Sequence, residues 1–307
     1  MTAHRIELTL GPLLFHWPEA RVRDLYARIA DEAPIDRVYL GEVVCGKRGP
    51  RVATALAEAA ERLDAAGKAV VWSTLALPAT ARELRASGEL ACAPEMVELN
   101  DASGLAQRQP GAPFVAGPFL NVYNEAAAAE LARRGCVRLC GNVELSLDAL
   151  AVIGANCPAL ELELFAYGRL PLALSSRCYH ARHHGRHKDA CQFVCEQDPD
   201  GLDVRTIDGE PFLAVNGIQT LSYGVHLADA PVNRLREARV QALRLSPQTG
   251  DMVEIAKAFR RFADEAIDPE GLRRAVLDAT PPARLVNGYL TGAPGLRAVA
   301  IPRESQP

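Results

Sequence analysis

Three cysteines crowd one short stretch of this 307-residue chain: Cys178, Cys191 and Cys195, in the spacing C-x12-C-x3-C. Thiolates are soft ligands, and four of them suit either tetrahedral zinc or an iron–sulfur cluster. A helix over 190–196 would set Cys191 and Cys195 one turn apart on one face, with a rise of about 6 Å. The fourth ligand must then come from elsewhere. Cys45, in the segment GEVVCGKR, is the candidate because it follows an expected strand, Arg37–Leu40. That order puts it at the same end of a barrel as the cysteine-bearing segment.

Other residues compete for the role. Cys136 and Cys140 repeat the C-x3-C spacing, but VRLC reads as extended, and four residues of strand span about 13 Å. Cys92 and Cys157 stand singly and read as small buried hydrophobes. His180, His183, His184 and His187 are four of the seven histidines. They permit a mixed Cys/His zinc site. With Arg177, Arg182, Arg186 and Lys188 interleaved, they also read as a solvated basic loop. Such charge could hold an acidic partner or substrate, or offset thiolate charge.

The elements that must position these residues alternate. Expected strands are Ile6–Leu10, Arg37–Leu40, Ala69–Leu75, Met96–Leu99, Phe114–Ala116, Val137–Leu139, Leu160–Phe165 and Ala242–Leu245. Segments of helical period lie between them, most clearly Arg51–Ala66 and Glu125–Arg134. Eight strands alternating with helices predict an α/β fold, a (β/α)8 TIM-like barrel spanning 1–307 as a single domain. The competing arrangement is an open doubly wound sheet, and no GxGxxG follows a strand to favour a dinucleotide-binding version. Barrel sites form at the strand C-termini. By that position Glu42, Asn100, Asp101, Asn121, Glu144 and Arg244 are candidate pocket residues, and Arg244 has the fork that pairs with carboxylates. A cysteine-bearing insertion, 169–226, follows the seventh strand. It is too long to be structureless, so it needs its own small fold or a staple. The tail, 278–307, is rich in Pro and Gly and is expected to pack loosely.

A net charge of -4 argues against a broad nucleic-acid surface. The first residues lack the pattern of a signal peptide, and no apolar run reaches the roughly 18 residues of a membrane span. The expected compartment is the cytoplasm, where eight cysteines stay reduced. No Ser-His-Asp, Cys-His or HExxH constellation stands out.

The segment ELELFAYGRLPLALSSRC (161–178) resembles the signature of the collagenase-like peptidase family. Glu163, Phe165 and Gly168 match it, and Cys178 falls on its second cysteine. Pro171 stands where the first cysteine is expected, so a ligand must be supplied elsewhere. Further segments are similar to the branch of that family acting in anaerobic ubiquinone biosynthesis: GPLLFHWP (11–18), VYLGEVVCGKR (38–48), FVAGPFLNVYN (114–124), SRCYHAR (176–182), KDAC (188–191), NGIQT (216–220) and RLSPQ (244–248). The resemblance implies a 4Fe-4S cluster on Cys45, Cys178, Cys191 and Cys195. It implies a heterodimer with a UbiU-like protein and a UbiT-like lipid-binding accessory protein. The reaction it implies is hydroxylation of ubiquinone precursors without dioxygen, with prephenate as oxygen donor. The alternatives are an RNA-hydroxylating relative and a zinc-stapled, non-catalytic binding module.

Overall fold

The computed structural model describes residues 5–300. Strands β1 (Glu7–Leu10), β2 (Arg37–Leu40), β3 (Ala69–Ser73), β4 (Val97–Leu99), β5 (Phe114–Ala116), β6 (Cys136–Cys140) and β7 (Glu161–Leu174) run parallel in sequence order. Strands β8 (Leu202–Arg205), β9 (Pro211–Asn216) and β10 (Gln219–Leu227) belong to the insertion, and β11 (Val240–Leu245) pairs in parallel with both β7 and β1. That double pairing closes the barrel. Eight parallel strands form it among the described residues, so the expected α/β barrel is the observed fold.

The helices are α1 (Glu19–Glu32), α2 (Gly49–Ala65), α3 (Ala81–Ala91), α4 (Ala102–Gln107), α5 (Glu125–Arg133), α6 (Leu147–Asn156), α7 (Tyr179–His183), α8 (Val232–Glu237), α9 (Met252–Ala263) and α10 (Pro269–Ala279). Several starts follow from side-chain caps: Thr80 and Glu83 form a reciprocal capping box, and Asn124 and Ser146 each accept a backbone N–H three residues on. No helix among the described residues is long and apolar enough to cross a membrane.

Strand alternation sorts the two faces of the barrel. Leu8, Leu10, Val38, Leu40, Leu99, Leu139, Leu243 and Leu245 join one large core with the helices. The alternate positions meet inside the barrel, where Tyr39, Val71 and Val115 form an apolar layer. Above and around it the lumen is charged. Arg244 donates Nε and Nη2 to the Glu163 carboxylate at 3.1 and 2.8 Å, and Nη1 to Glu98 at 2.5 Å. Tyr39 donates to Glu163 at 2.9 Å, Thr9 also donates to it, and Ser73 donates to Glu98 at 2.7 Å. Side chains from β1, β2, β3, β4, β7 and β11 can meet only inside a closed barrel. The lumen is therefore filled, as barrel interiors are, here with an unusual share of polar groups.

The insertion builds its own structure. β7 runs on past the barrel to Leu174, β10 returns antiparallel to it, and β9 and β8 add to the edge. A helix over 190–196 does not form. Two 3-10 turns, Lys188–Ala190 and Val194–Gln197, take its place. Between them Gln192 and Phe193 have φ of 49° and 55°, left-handed values that an α-helix cannot contain. The tail also differs from expectation. Strand β12 (Leu285–Val286) pairs with β10, and Leu285, Val286 and Leu290 are buried. Buried Asn287 donates to Asp229 at 2.9 Å and accepts from the Val299 N–H at 2.7 Å. These contacts anchor the Pro/Gly-rich segment as far as Val299.

Candidate metal centre

Cys45 lies in the loop between β2 and α2, at the C-terminal mouth of the barrel. Glu42 shapes that loop: one carboxylate oxygen accepts the N–H groups of Val44 and Cys45, both at 2.8 Å. Burial raises the Glu42 pKa, although Arg48 and these two N–H groups oppose the rise. Lys47 reaches across to the insertion and donates to the carbonyls of Lys188 and Asp189 at 2.7 and 2.9 Å. The β2–α2 loop and the cysteine-bearing segment are thereby held together.

Cys45, Cys178, Cys191 and Cys195 line one pocket, with Lys47, Arg48, Lys188, Phe193, Val194 and Gly217. Burial raises the thiol pKa of Cys45, Cys178 and Cys195, and Arg48 acts against the rise in each. Without a metal these thiols stay neutral, so ligation would release protons. Cys178 also donates to the Gly217 carbonyl at 3.2 Å.

Four cysteines on one pocket suit either tetrahedral zinc or a polynuclear cluster. A tetrahedral zinc with bonds of about 2.3 Å sets its sulfurs roughly 3.8 Å apart. Among the described residues the group of metal-ligand type whose ligand atoms all lie within 4.8 Å of one another is His180, His184 and Asp198. The four cysteines face a common space. In a polynuclear cluster the thiolates bind different iron atoms and need not approach one another as closely.

Three residues that sequence reasoning missed complete the pocket. Arg48 is 1% exposed and donates Nη2 to Asn216 at 2.6 Å. Its buried charge stands beside Cys45 and Cys195. Asn216, fully buried, in turn donates to the carbonyls of Cys195 and Asp198 at 3.0 and 2.8 Å. One amide thus joins the helix after Cys45 to the segment after Cys195. Gly217 opens the two-residue turn between β9 and β10 with φ +69°, as a type II′ hairpin requires. A glycine directly after an apolar strand, with a second such run two residues on, is a hairpin signal, and it could have flagged this turn.

A Cβ on Gly217 would lie 2.3 Å from the Arg48 Nη2. Gly217→Ala is expected to lower stability by about 1–3 kcal/mol and to loosen the pocket. Gly209 provides the control: its φ is +84° but nothing lies within 4 Å of an added Cβ. Thermal denaturation should therefore show a larger loss for Gly217→Ala than for Gly209→Ala. Equal losses would mean that Arg48 yields at no cost.

The other cysteines lie elsewhere. Cys136 and Cys140 occupy strand β6, as their extended reading predicts; burial pushes the Cys136 thiol up to about 12 and raises that of Cys140 further. Cys92 and Cys157 end α3 and α6; Cys157 is buried as its reading predicts, but Cys92, at the exposed end of its helix, is not.

The strand-end candidates divide. Glu42 borders the cysteine loop. Asn100 is buried in the lumen network, 3.1 Å from Glu98, with its Oδ1 unpartnered. Arg244 turns inward, and its fork is engaged by Glu163 and Glu98. Asp101 caps α4. Asn121, at φ 56°, accepts from Asn142 at 2.9 Å, and exposed Glu144 accepts from Tyr123 at 2.7 Å. These last three do not converge with the cysteines.

Two signature residues have a structural explanation. Glu163 anchors the lumen network, and Gly168, at φ +123°, lets β7 pass β11 where a Cβ would sit 2.7 Å from that of Ser246. Among solved structures, the chain is similar to N-acetylneuraminate lyase from Mycoplasma synoviae, at 9% identity over 88% of this chain and 78% of that one, with a TM-score of 0.44. That likeness is too distant to carry an argument about activity. The sequence profile of peptidase family U32 matches residues 21–299, nearly the whole barrel together with the cysteine-bearing insertion, and the chain belongs to that family.

Proposed function

We propose that this chain is a UbiV-like iron–sulfur subunit of an oxygen-independent hydroxylase acting in anaerobic ubiquinone biosynthesis. One observation carries the reading. A cysteine from the β2–α2 loop and three from the insertion line one pocket beside a buried arginine. Cys45, Cys178, Cys191 and Cys195 would hold a 4Fe-4S cluster, which supplies one-electron chemistry when bound. The protein's own part is to exclude water, to fix the four sulfurs, and to set the cluster's potential through the Arg48 charge. Glu42 holds the Cys45 loop by its backbone, and Asn216 holds Arg48 and the Cys195 segment in register. A UbiU-like partner, a UbiT-like accessory protein and prephenate as oxygen donor belong to the same reading, as does a cytoplasmic location. They rest on the sequence resemblance.

Anaerobically purified protein is expected to be brown, with about four iron and four sulfide per chain. A strain lacking the chain should lose ubiquinone only when grown without oxygen. Stoichiometric zinc in the cysteine pocket, or normal anaerobic ubiquinone, would sink the proposal.

A further inference from the structure

The histidine-rich segment makes a second constellation outside the cysteine pocket. His180 lies in α7 and His184 is its C-cap, one turn on, with the two rings stacked at 5.4 Å and 13°. Asp198 follows the 3-10 turn that carries Cys195, and its Oδ2 lies 3.0 Å from His180 Nε2. The ligand atoms of all three lie within 4.8 Å of one another.

The surroundings of His180 make this more than proximity. His180 is fully buried, and its Nδ1 lies 3.2 Å from the Val215 carbonyl oxygen. A carbonyl only accepts, so Nδ1 carries the ring proton. Nε2 then presents a lone pair if the ring is neutral and a second N–H if it is protonated. It faces a carboxylate oxygen, which has only lone pairs to offer. Despite the short approach, Nε2 has no partner in hydrogen-bond geometry. A proton on Nε2 or a metal cation between the two atoms would satisfy both, and the third ligand, His184, stacked on His180, favours the metal. Zinc bound to nitrogen and oxygen at about 2.0–2.2 Å sets its ligand atoms roughly 3.4 Å apart; the His180–Asp198 pair stands at 3.0 Å. A backbone carbonyl fixing the far nitrogen is the usual support of a metal-binding histidine.

We propose that His180, His184 and Asp198 bind one divalent ion of the zinc class, with a fourth position open to water. The ion would brace the insertion, tying the helix after Cys178 to the segment after Cys195. This site does not depend on what fills the cysteine pocket.

The full chain, purified anaerobically, is dialysed against trace Zn2+ and separately loaded with Co2+. About one zinc per chain should be retained. Cobalt should give the d–d bands of a tetrahedral nitrogen and oxygen site without thiolate charge transfer. His184 is exposed, so His184→Ala should leave the fold and the iron content intact while weakening zinc binding at least about tenfold. Cys45→Ala should leave the cobalt spectrum unchanged. Failure to bind zinc would overturn the site and mean that His180 and Asp198 are only an imidazolium–carboxylate pair. Equal zinc affinity in His184→Ala, or cobalt bands of thiolate character, would also overturn it. Loss of iron with zinc retained would sink the cluster reading alone, and the reverse would sink this one alone.

Discussion

Cys45→Ala is expected to reduce iron from about four per chain to less than about one, with loss of the visible absorbance of the anaerobic protein. Replacing Cys178, Cys191 or Cys195 should do the same. Cys45 is the most informative of the four because it comes from a different element. The three insertion cysteines share one segment and could bind metal without the barrel. Only Cys45 requires the β2–α2 loop and the insertion to meet. Its loop is held by the Glu42 carboxylate and by Lys47, which a thiol-to-methyl change leaves in place. The variant should therefore fold, and its iron loss would report ligation. Cys92→Ala, Cys157→Ala and Cys140→Ala should keep their iron, because these residues end helices or face the barrel interior. Full iron in Cys45→Ala, or its loss in Cys140→Ala, would show that the ligand set is wrong.

How much of this was legible in the sequence depends on the range of the interaction. The barrel strands were, because period-2 runs such as Arg37–Leu40 and Phe114–Ala116 are local signals, and their observed bounds are the same. The meeting of Cys45 with the other three could be expected once the strand order put both at one mouth. The geometry around Cys191 and Cys195 could not. Left-handed Gln192 and Phe193 are neither glycine nor asparagine, so no local preference marks them; the pocket around them imposes the conformation. Arg48 and Asn216 were missed for a related reason. Each looks like an ordinary surface polar residue until a segment over 160 positions away buries it. Arg244 shows the converse. Its strand-end position suggested a free fork for a substrate carboxylate, and only the closed barrel reveals that Glu163 and Glu98 occupy it. The histidines, read as a solvated basic loop or as partners of the cysteines, divide: His180 is buried against Val215, and His183 and His184 are exposed.

Acid should weaken the barrel through Glu163, in a window set by its own ionisation. Burial alone would raise its pKa, but the Arg244 guanidinium, with Arg138 and the Thr9 hydroxyl, outweighs burial and holds it at about 2. In the unfolded chain the carboxyl has its ordinary value of 4.5. A carboxylate depressed on folding contributes stability that is fully present above the unfolded value and is lost as pH falls through the folded one. The contribution should therefore be complete at neutral pH, decline below about 4.5 and be gone near 2, amounting to about 3 kcal/mol. Glu163→Gln should abolish that decline while lowering stability at pH 7 by roughly 3–5 kcal/mol, because Arg244 keeps a buried charge with Glu98 as its remaining carboxylate. Arg244→Met is the sharper companion, since it leaves two buried carboxylates facing each other without their cation. Urea unfolding between pH 2 and 7 measures both effects. The two carboxylates and the arginine come from β4, β7 and β11, so the triad fastens strands on opposite sides of the barrel whose mouth carries the cysteines. If Glu163→Gln matched the wild type at pH 7, the triad would be a spectator, and the register of the β2–α2 loop and the insertion would rest on the Lys47 and Asn216 hydrogen bonds and on apolar packing.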